Sequence, residues 1–206
     1  MGTKTTEPAS ARTSARERLL AAANELFYKE GVHTVGIDRV IEHAGVAKAT
    51  LYSAFGSKDE LIRAYLAGRH EVRRARMTEQ LARYDTPRER LLGVFDVLGD
   101  SFADPAYHGC AFVNASAEAG PGSPILEVTG EYRGWVRDLF VDLARDAGIA
   151  EPEVLARQLV LLYDGAGIAA RMDRDPGAAA AAREVAAALV DAAPATATKT
   201  DPNGQS

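Results

Sequence analysis

Residues 34–60 read TVGIDRVIEHAGVAKATLYSAFGSKDE, and their spacing is that of two short helices joined by a tight turn. Ile37, Val40, Ile41 and Ala44 recur at three- and four-residue steps, one face of a short helix that Gly45 ends. Val46 through about Phe55 forms a second short helix, so Ala44-Gly45-Val46-Ala47 is the turn of a helix-turn-helix. Thr34 is placed to cap the first of these helices. At about 100° per residue, Ala47, Leu51 and Phe55 face inward on the second, while Lys48, Ala49, Tyr52 and Ser53 face outward. An ammonium, a methyl, a phenol and a hydroxyl on one face suit a helix lying in a DNA major groove. The bland alternative is a three-helix packing module whose Lys and Tyr are ordinary surface. Ser57-Lys58-Asp59-Glu60 reads as a capping box opening a long helix to about Tyr84. A lysine in a first turn opposes the helix dipole, yet with the free amides there it makes a phosphate clamp. The amide and hydroxyl of Thr34 offer the same chemistry.

Outward from this stretch the pattern stays helical. Leu19, Leu20, Ala23, Leu26 and Phe27 form an apolar stripe that stops at Gly31. Further helical runs are expected over 88–103, 108–119, 124–147, 152–173 and 177–192, separated by Pro- and Gly-bearing breaks. Pro87, Pro152 and Pro176 stand where helices start, since a missing N–H costs nothing there. No alternation flanked by hairpin turns occurs, so the class is all-α, with about nine helices. The expected organisation is a flexible arm over 1–14, a helix-turn-helix domain over 15–60, a helical domain over 61–193 and a disordered tail over 194–206.

Composition narrows the function classes. The 206 residues carry 24 Lys+Arg, 29 Asp+Glu and one cysteine, for a net charge of −5. One cysteine excludes an intrachain disulfide and a CxxC-type zinc site. The N-terminus lacks the apolar region of a secretory signal, and no stretch of about 18 uncharged apolar residues occurs, so a soluble cytoplasmic protein is expected. Residues 1–83 hold 14 basic and 10 acidic residues, against 10 and 19 over 84–206, an asymmetry that points to two jobs on one chain. Residues 1–60 are balanced at 8 of each sign. DNA contact is therefore expected from placement, Lys48 and Lys58 standing beside helix starts, and not from net charge.

The segment 15–66, ARERLLAAANELFYKEGVHTVGIDRVIEHAGVAKATLYSAFGSKDELIRAYL, resembles the DNA-binding domain of TetR-family transcriptional regulators. The likeness rests on ELF with a following Gly31, on Thr34-Val35, the AGV turn, the run Lys48-Ala49-Thr50-Leu51-Tyr52, Phe55, and Ser57-Lys58 before an acidic pair and Leu61. It implies phosphate contacts from Thr34, Tyr52 and Lys58 and base-edge contacts near Lys48 and Ala49, with Thr50 and Ser53 also in the DNA-binding set. Three positions depart from the common pattern: Ala47 replaces a Ser or Thr, Ala54 a His, and Ser53 a bulkier polar residue. The resemblance further implies a homodimer, more often a repressor, that binds a palindromic operator in double-stranded DNA and is released by a small-molecule effector. Two other readings stand beside it. One is a helical small-molecule-binding or enzymatic protein with a vestigial helix-turn-helix. The other is a regulator controlled by a partner protein.

In the C-terminal half, Leu155, Leu159, Leu162, Ala166 and Ala169 step along one helix. With Val185 and Leu189 from the last helix they are expected to form a four-helix dimer interface; the alternative is that they close the monomer's own core. Cys110, Asn114 and Glu118 lie at i, i+4 and i+8, similar to a GC…NA…E pattern of some TetR-like regulators. They are expected to line a ligand pocket with Phe95, Phe102, Tyr107, Trp135 and Tyr163, and Phe112 and Phe140 are further candidates. For Cys110 and Asn114 the alternative is structural: a buried small hydrophobe and a side chain bonded to neighbouring backbone. The GxGxxA at 165–170 has no βαβ setting and is not a dinucleotide site. His33, His43, His70 and His108 are dispersed without ligand spacing, Asp173-Arg174-Asp175-Pro176-Gly177 lacks the length of a calcium loop, and no nucleophile motif occurs. No metal, cofactor, catalytic residue or membrane partner is expected.

Overall fold

The structure is a computed structural model that describes residues 13–196, so the expected arm and tail lie mostly outside the described residues. These form nine α-helices: α1 (Ala15–Glu30), α2 (Ile37–Ala44), α3 (Lys48–Phe55), α4 (Lys58–Leu81), α5 (Pro87–Phe102), α6 (Ala111–Glu118), α7 (Pro124–Asp146), α8 (Pro152–Met172) and α9 (Ala178–Ala192). The all-α class is as expected.

The helix ends follow local chemistry. Ser14 and Thr86 each accept a hydrogen bond from the backbone N–H three residues on, and Glu17 and Glu89 bond back to the cap N–H, closing two capping boxes. Ser57 makes only half of one: its Oγ accepts from the Glu60 N–H at 3.1 Å, while the Glu60 carboxylate takes Arg63. Thr34 caps nothing. It lies exposed in the turn ahead of α2, whose N-cap is Gly36. Gly45 ends α2 in the left-handed conformation at φ 62°, where a side chain would be strained. Ala47 is the exposed N-cap of α3 rather than an inward residue, because at a helix start its Cβ precedes the periodic face. Pro87 and Pro152 take the first helical positions as expected, and Pro124 does the same; Pro176 falls outside α9, which opens after Gly177. The run expected from residue 108 starts only at Ala111, since Gly109 sits at φ 93°.

Two packed units share α4. Its 24 residues span about 36 Å. At its start Leu61, Ile62, Tyr65 and Leu66 bury against α1 and α3, whose Leu19, Ala23, Phe27 and Leu51 form the core of the head. Its later Met77 and Leu81 join the body, where Phe95, Phe140 and Leu159 are fully buried among α5, α7, α8 and α9. Full burial of such a side chain contributes roughly 1.5–3 kcal/mol. The chain does not fray at 194. The Ala150 N–H donates to the Pro194 carbonyl at 2.8 Å and the Thr196 N–H to that of Gly148 at 2.7 Å, so Pro194–Thr196 lie pinned beside the α7–α8 turn. No helix among the described residues is long and apolar enough to cross a membrane.

Candidate functional site

The helix-turn-helix presents α3 as its outer face. Leu51 is fully buried and anchors the helix, while Lys48, Ala49, Tyr52 and Ser53 are exposed and Thr50 is half-buried. Three contacts fix this pose. The Arg16 guanidinium lies 4.9 Å from the Phe55 ring centroid, Arg18 Nε donates to the Ala44 carbonyl at 3.2 Å, and Arg39 forks onto Glu30. Lys48 Nζ lies 2.9 Å from Asp38 Oδ1, a hydrogen bond that raises its pKa above the ordinary lysine value. Both partners are exposed, so the pair is weak and free to open toward an anion.

Lys58 approaches the turn that carries Thr34. Lys58 Nζ reaches the His33 carbonyl at 3.5 Å, and desolvation lowers its pKa against the opposing pull of Asp59 and Glu118. Glu118, expected in a ligand pocket, is instead a clasp between body and head: it ends α6 and its Oε2 accepts from the His33 N–H at 2.7 Å. Gly31 makes room for it, since a Cβ there would lie 2.9 Å from Glu118 Oε1, and its φ of 93° also excludes most side chains.

The remaining pocket candidates scatter. Phe95 and Tyr163 are core, Trp135 packs against His70 and Tyr132, and Cys110 is a half-buried free thiol at the N-cap of α6. Asn114 Nδ2 donates to the His108 carbonyl at 3.1 Å, the backbone role allowed for it. Phe102 packs on Tyr107, with ring centroids 5.0 Å apart. A cavity of about 820 Å³ opens between α1, α4, α5 and the 104–112 segment, and Tyr107 and Phe112 are the aromatic candidates that reach it. Its other walls carry Tyr28, Tyr65, Arg69 and Arg73, which the sequence reading missed. The available signal was Tyr65, Arg69 and Arg73 at i, i+4 and i+8, a basic and aromatic stripe within a helix read only as a connector.

Burial pushes Tyr65 up to about 12 and raises Tyr107 and Tyr132 further, so all three keep their hydroxyl protons. Tyr28 bridges the cavity's mouth, its hydroxyl donating to the Gly109 carbonyl at 3.1 Å and accepting from the His108 N–H at 3.0 Å. Among the described residues, no group of three or more His, Cys, Asp or Glu is arranged to hold a metal.

Comparison with known proteins agrees with the helix-turn-helix. The profile of the bacterial regulatory proteins of the tetR family matches residues 19–65. A TetR-family transcriptional regulator of Streptomyces coelicolor is 35% identical and superposes with a TM-score of 0.76 over 86% of this chain and 92% of its own. A Streptomyces avermitilis protein assigned to the same regulators is 33% identical with a TM-score of 0.79 over 87% and 98%. The HTH-type transcriptional activator FasR of Mycolicibacterium smegmatis is 46% identical over 55 residues, 27% of this chain and 25% of FasR. The chain thus spans a quarter of that curated relative's length, and 54% of another, the TtgR regulator of Pseudomonas putida. Identity of a third or more across nearly the whole of two solved structures carries the conclusion: the chain belongs to the TetR family of DNA-binding transcriptional regulators.

Proposed function

We propose that this regulator acts in the cytoplasm as a homodimeric repressor, binding a palindromic operator and leaving it when a small molecule occupies the body. The observation that carries the DNA half is the exposed α3 face. Lys48, Ala49, Tyr52 and Ser53 are turned outward while Leu51 holds the helix to the core. In this reading Lys48 and Ala49 meet base edges, and Tyr52, Thr34 and Lys58 hold phosphates, which set register without reading sequence. A two-fold dimer places two such helices in major grooves a helical turn or more apart. The ligand half is supported by the 820 Å³ cavity, a volume typical of drug-sized ligands. A ligand shifts such a dimer only through its differential affinity for the bound and released states.

A gel shift on the DNA flanking the coding region, run at several salt concentrations, tests this. Sequence-specific retention is expected, weakened about 10-fold by Lys48→Ala and several-fold by Tyr52→Phe. Equal retention of random duplex at moderate salt would sink the reading. Retention that no small molecule relieves would favour control by a partner protein.

A further inference from the structure

Arg73 stands in the wall of the cavity with its charge unanswered. Of its five N–H donors, one hydrogen bond is made, from Nη1 to the Tyr163 hydroxyl at 3.2 Å. Among the described residues no carboxylate lies within ion-pair distance of it. Tyr163, then Tyr132 and Cys110, hold its pKa above the ordinary arginine value against the opposing pull of desolvation, so the guanidinium stays charged. Half-buried, with one neutral partner and no counter-ion, the guanidinium has donors left for a ligand in the cavity.

The acids that also line the cavity are engaged elsewhere. Glu17 closes the α1 capping box, Glu25 lies 3.0 Å from His43, and Asp104 accepts from the Ala106 N–H. Arg76, one turn beyond Arg73, has Asp100 at 3.5 Å. Arg69, one turn before, has no acid partner; it stacks 3.6 Å from the Tyr28 ring centroid. The start of α6 adds to this positive end: Ala111 lines the cavity, and no side chain caps the helix. Leu20, Val72, Val97 and Phe112 supply apolar wall.

We infer that the cavity takes an organic carboxylate, its apolar body against Leu20, Val72 and Phe112 and its carboxylate paired with the Arg73 guanidinium. The inference deepens the effector reading above and rests on it. A guanidinium meets a carboxylate through two parallel N–H···O bonds, and one desolvated cation matches one negative charge. Tyr107 keeps its proton and can donate to the same group. The walls come from α1 of the head, from the shared α4, and from α5, α6 and the segment between them in the body, so an acid held here touches both units.

Calorimetric titration of the full chain without DNA tests the site, using decanoate against decanamide and naphthalene-2-carboxylate against its amide. The acid of at least one pair is expected to bind 10-fold or more tighter than its amide, and Arg73→Met is expected to abolish that preference. Because the variant removes a half-buried cation without a counter-ion and leaves the Tyr132–Tyr163 hydrogen bond, its ligand-free Tm is expected to stay level or rise by about 2–4 °C. Four results would each overturn the inference: amides binding as tightly as acids, no binding by either acid, a preference that survives Arg73→Met, or a ligand-free Tm that falls in the variant, which would make Arg73 a structural residue. Carboxylate binding with no effect on operator retention would leave the site standing and remove the regulatory reading instead.

Discussion

His70 shows how far one residue's role depends on what surrounds it. It lies on α4, with ring centroids 5.6 Å from Tyr132, 5.3 Å from Trp135 and 6.3 Å from Phe112, and its Nε2 is buried with no hydrogen-bond partner. Desolvation lowers its pKa below 6.5, against the pull of Glu71 and Glu131. The unfolded chain therefore binds the proton more readily. Stability tied to this residue is present above about pH 6.5 and is lost as pH falls from there toward the depressed folded value. His70→Phe is expected to flatten the loss of Tm between pH 7 and pH 5 while leaving the Tm at pH 8 nearly unchanged; a variant whose acid decline matches the wild type would place the sensitivity elsewhere. In the sequence His70 is one of four dispersed histidines, and nothing local marks it as the one packed among aromatic rings.

At the scale of elements, periodicity found the helices but did not separate core from outer surface along α8. Leu155, Leu159 and Ala166, expected at the dimer interface, are buried in the chain's own core, as the alternative for them held. Leu162, Ala169 and Leu189 are half-buried, and Val185 is 49% exposed. The apolar residues that α8 leaves uncovered lie on a neighbouring stripe, with Leu161 71%, Ile168 52% and Met172 77% exposed and Gly165 between them. The cause is that α8 is apolar on more than one side, and a 3.6-residue repeat gives a face without saying which neighbour covers it. The uncovered apolar stripe of α8, with Val185 exposed on α9, supports the proposed homodimer. Leu161→Glu with Ile168→Glu is expected to convert a dimer to a monomer in light scattering after gel filtration, with the helical content retained. A double variant that stays dimeric would move the interface off this stripe.

Across the whole molecule the head and body are joined by α4 and by two smaller clasps, Tyr28 on the 108–109 backbone and Glu118 on the His33 amide. The second sits beneath Lys58, whose charge feels Glu118, so the end of α6 touches the expected phosphate-binding corner. Glu118→Ala is expected to speed hydrogen exchange at the His33 amide and to lower Tm by about 2–4 °C, with the amides of α7 and α8 keeping their protection. Uniform loss of protection throughout would make Glu118 a support of the global fold. The all-α class, nearly every helix and the outward face of α3 are legible from the residues alone, because capping, turn glycines and the 3.6-residue repeat act between residues close along the chain. The cavity, the uncovered stripe and the roles of Arg73 and Glu118 are not. Those arise where residues 80 to 90 positions apart come together, as His33 meets Glu118 and Arg73 meets Tyr163. Whether a charge ends up paired or a face ends up covered is decided by what packs against it, which only the tertiary structure supplies.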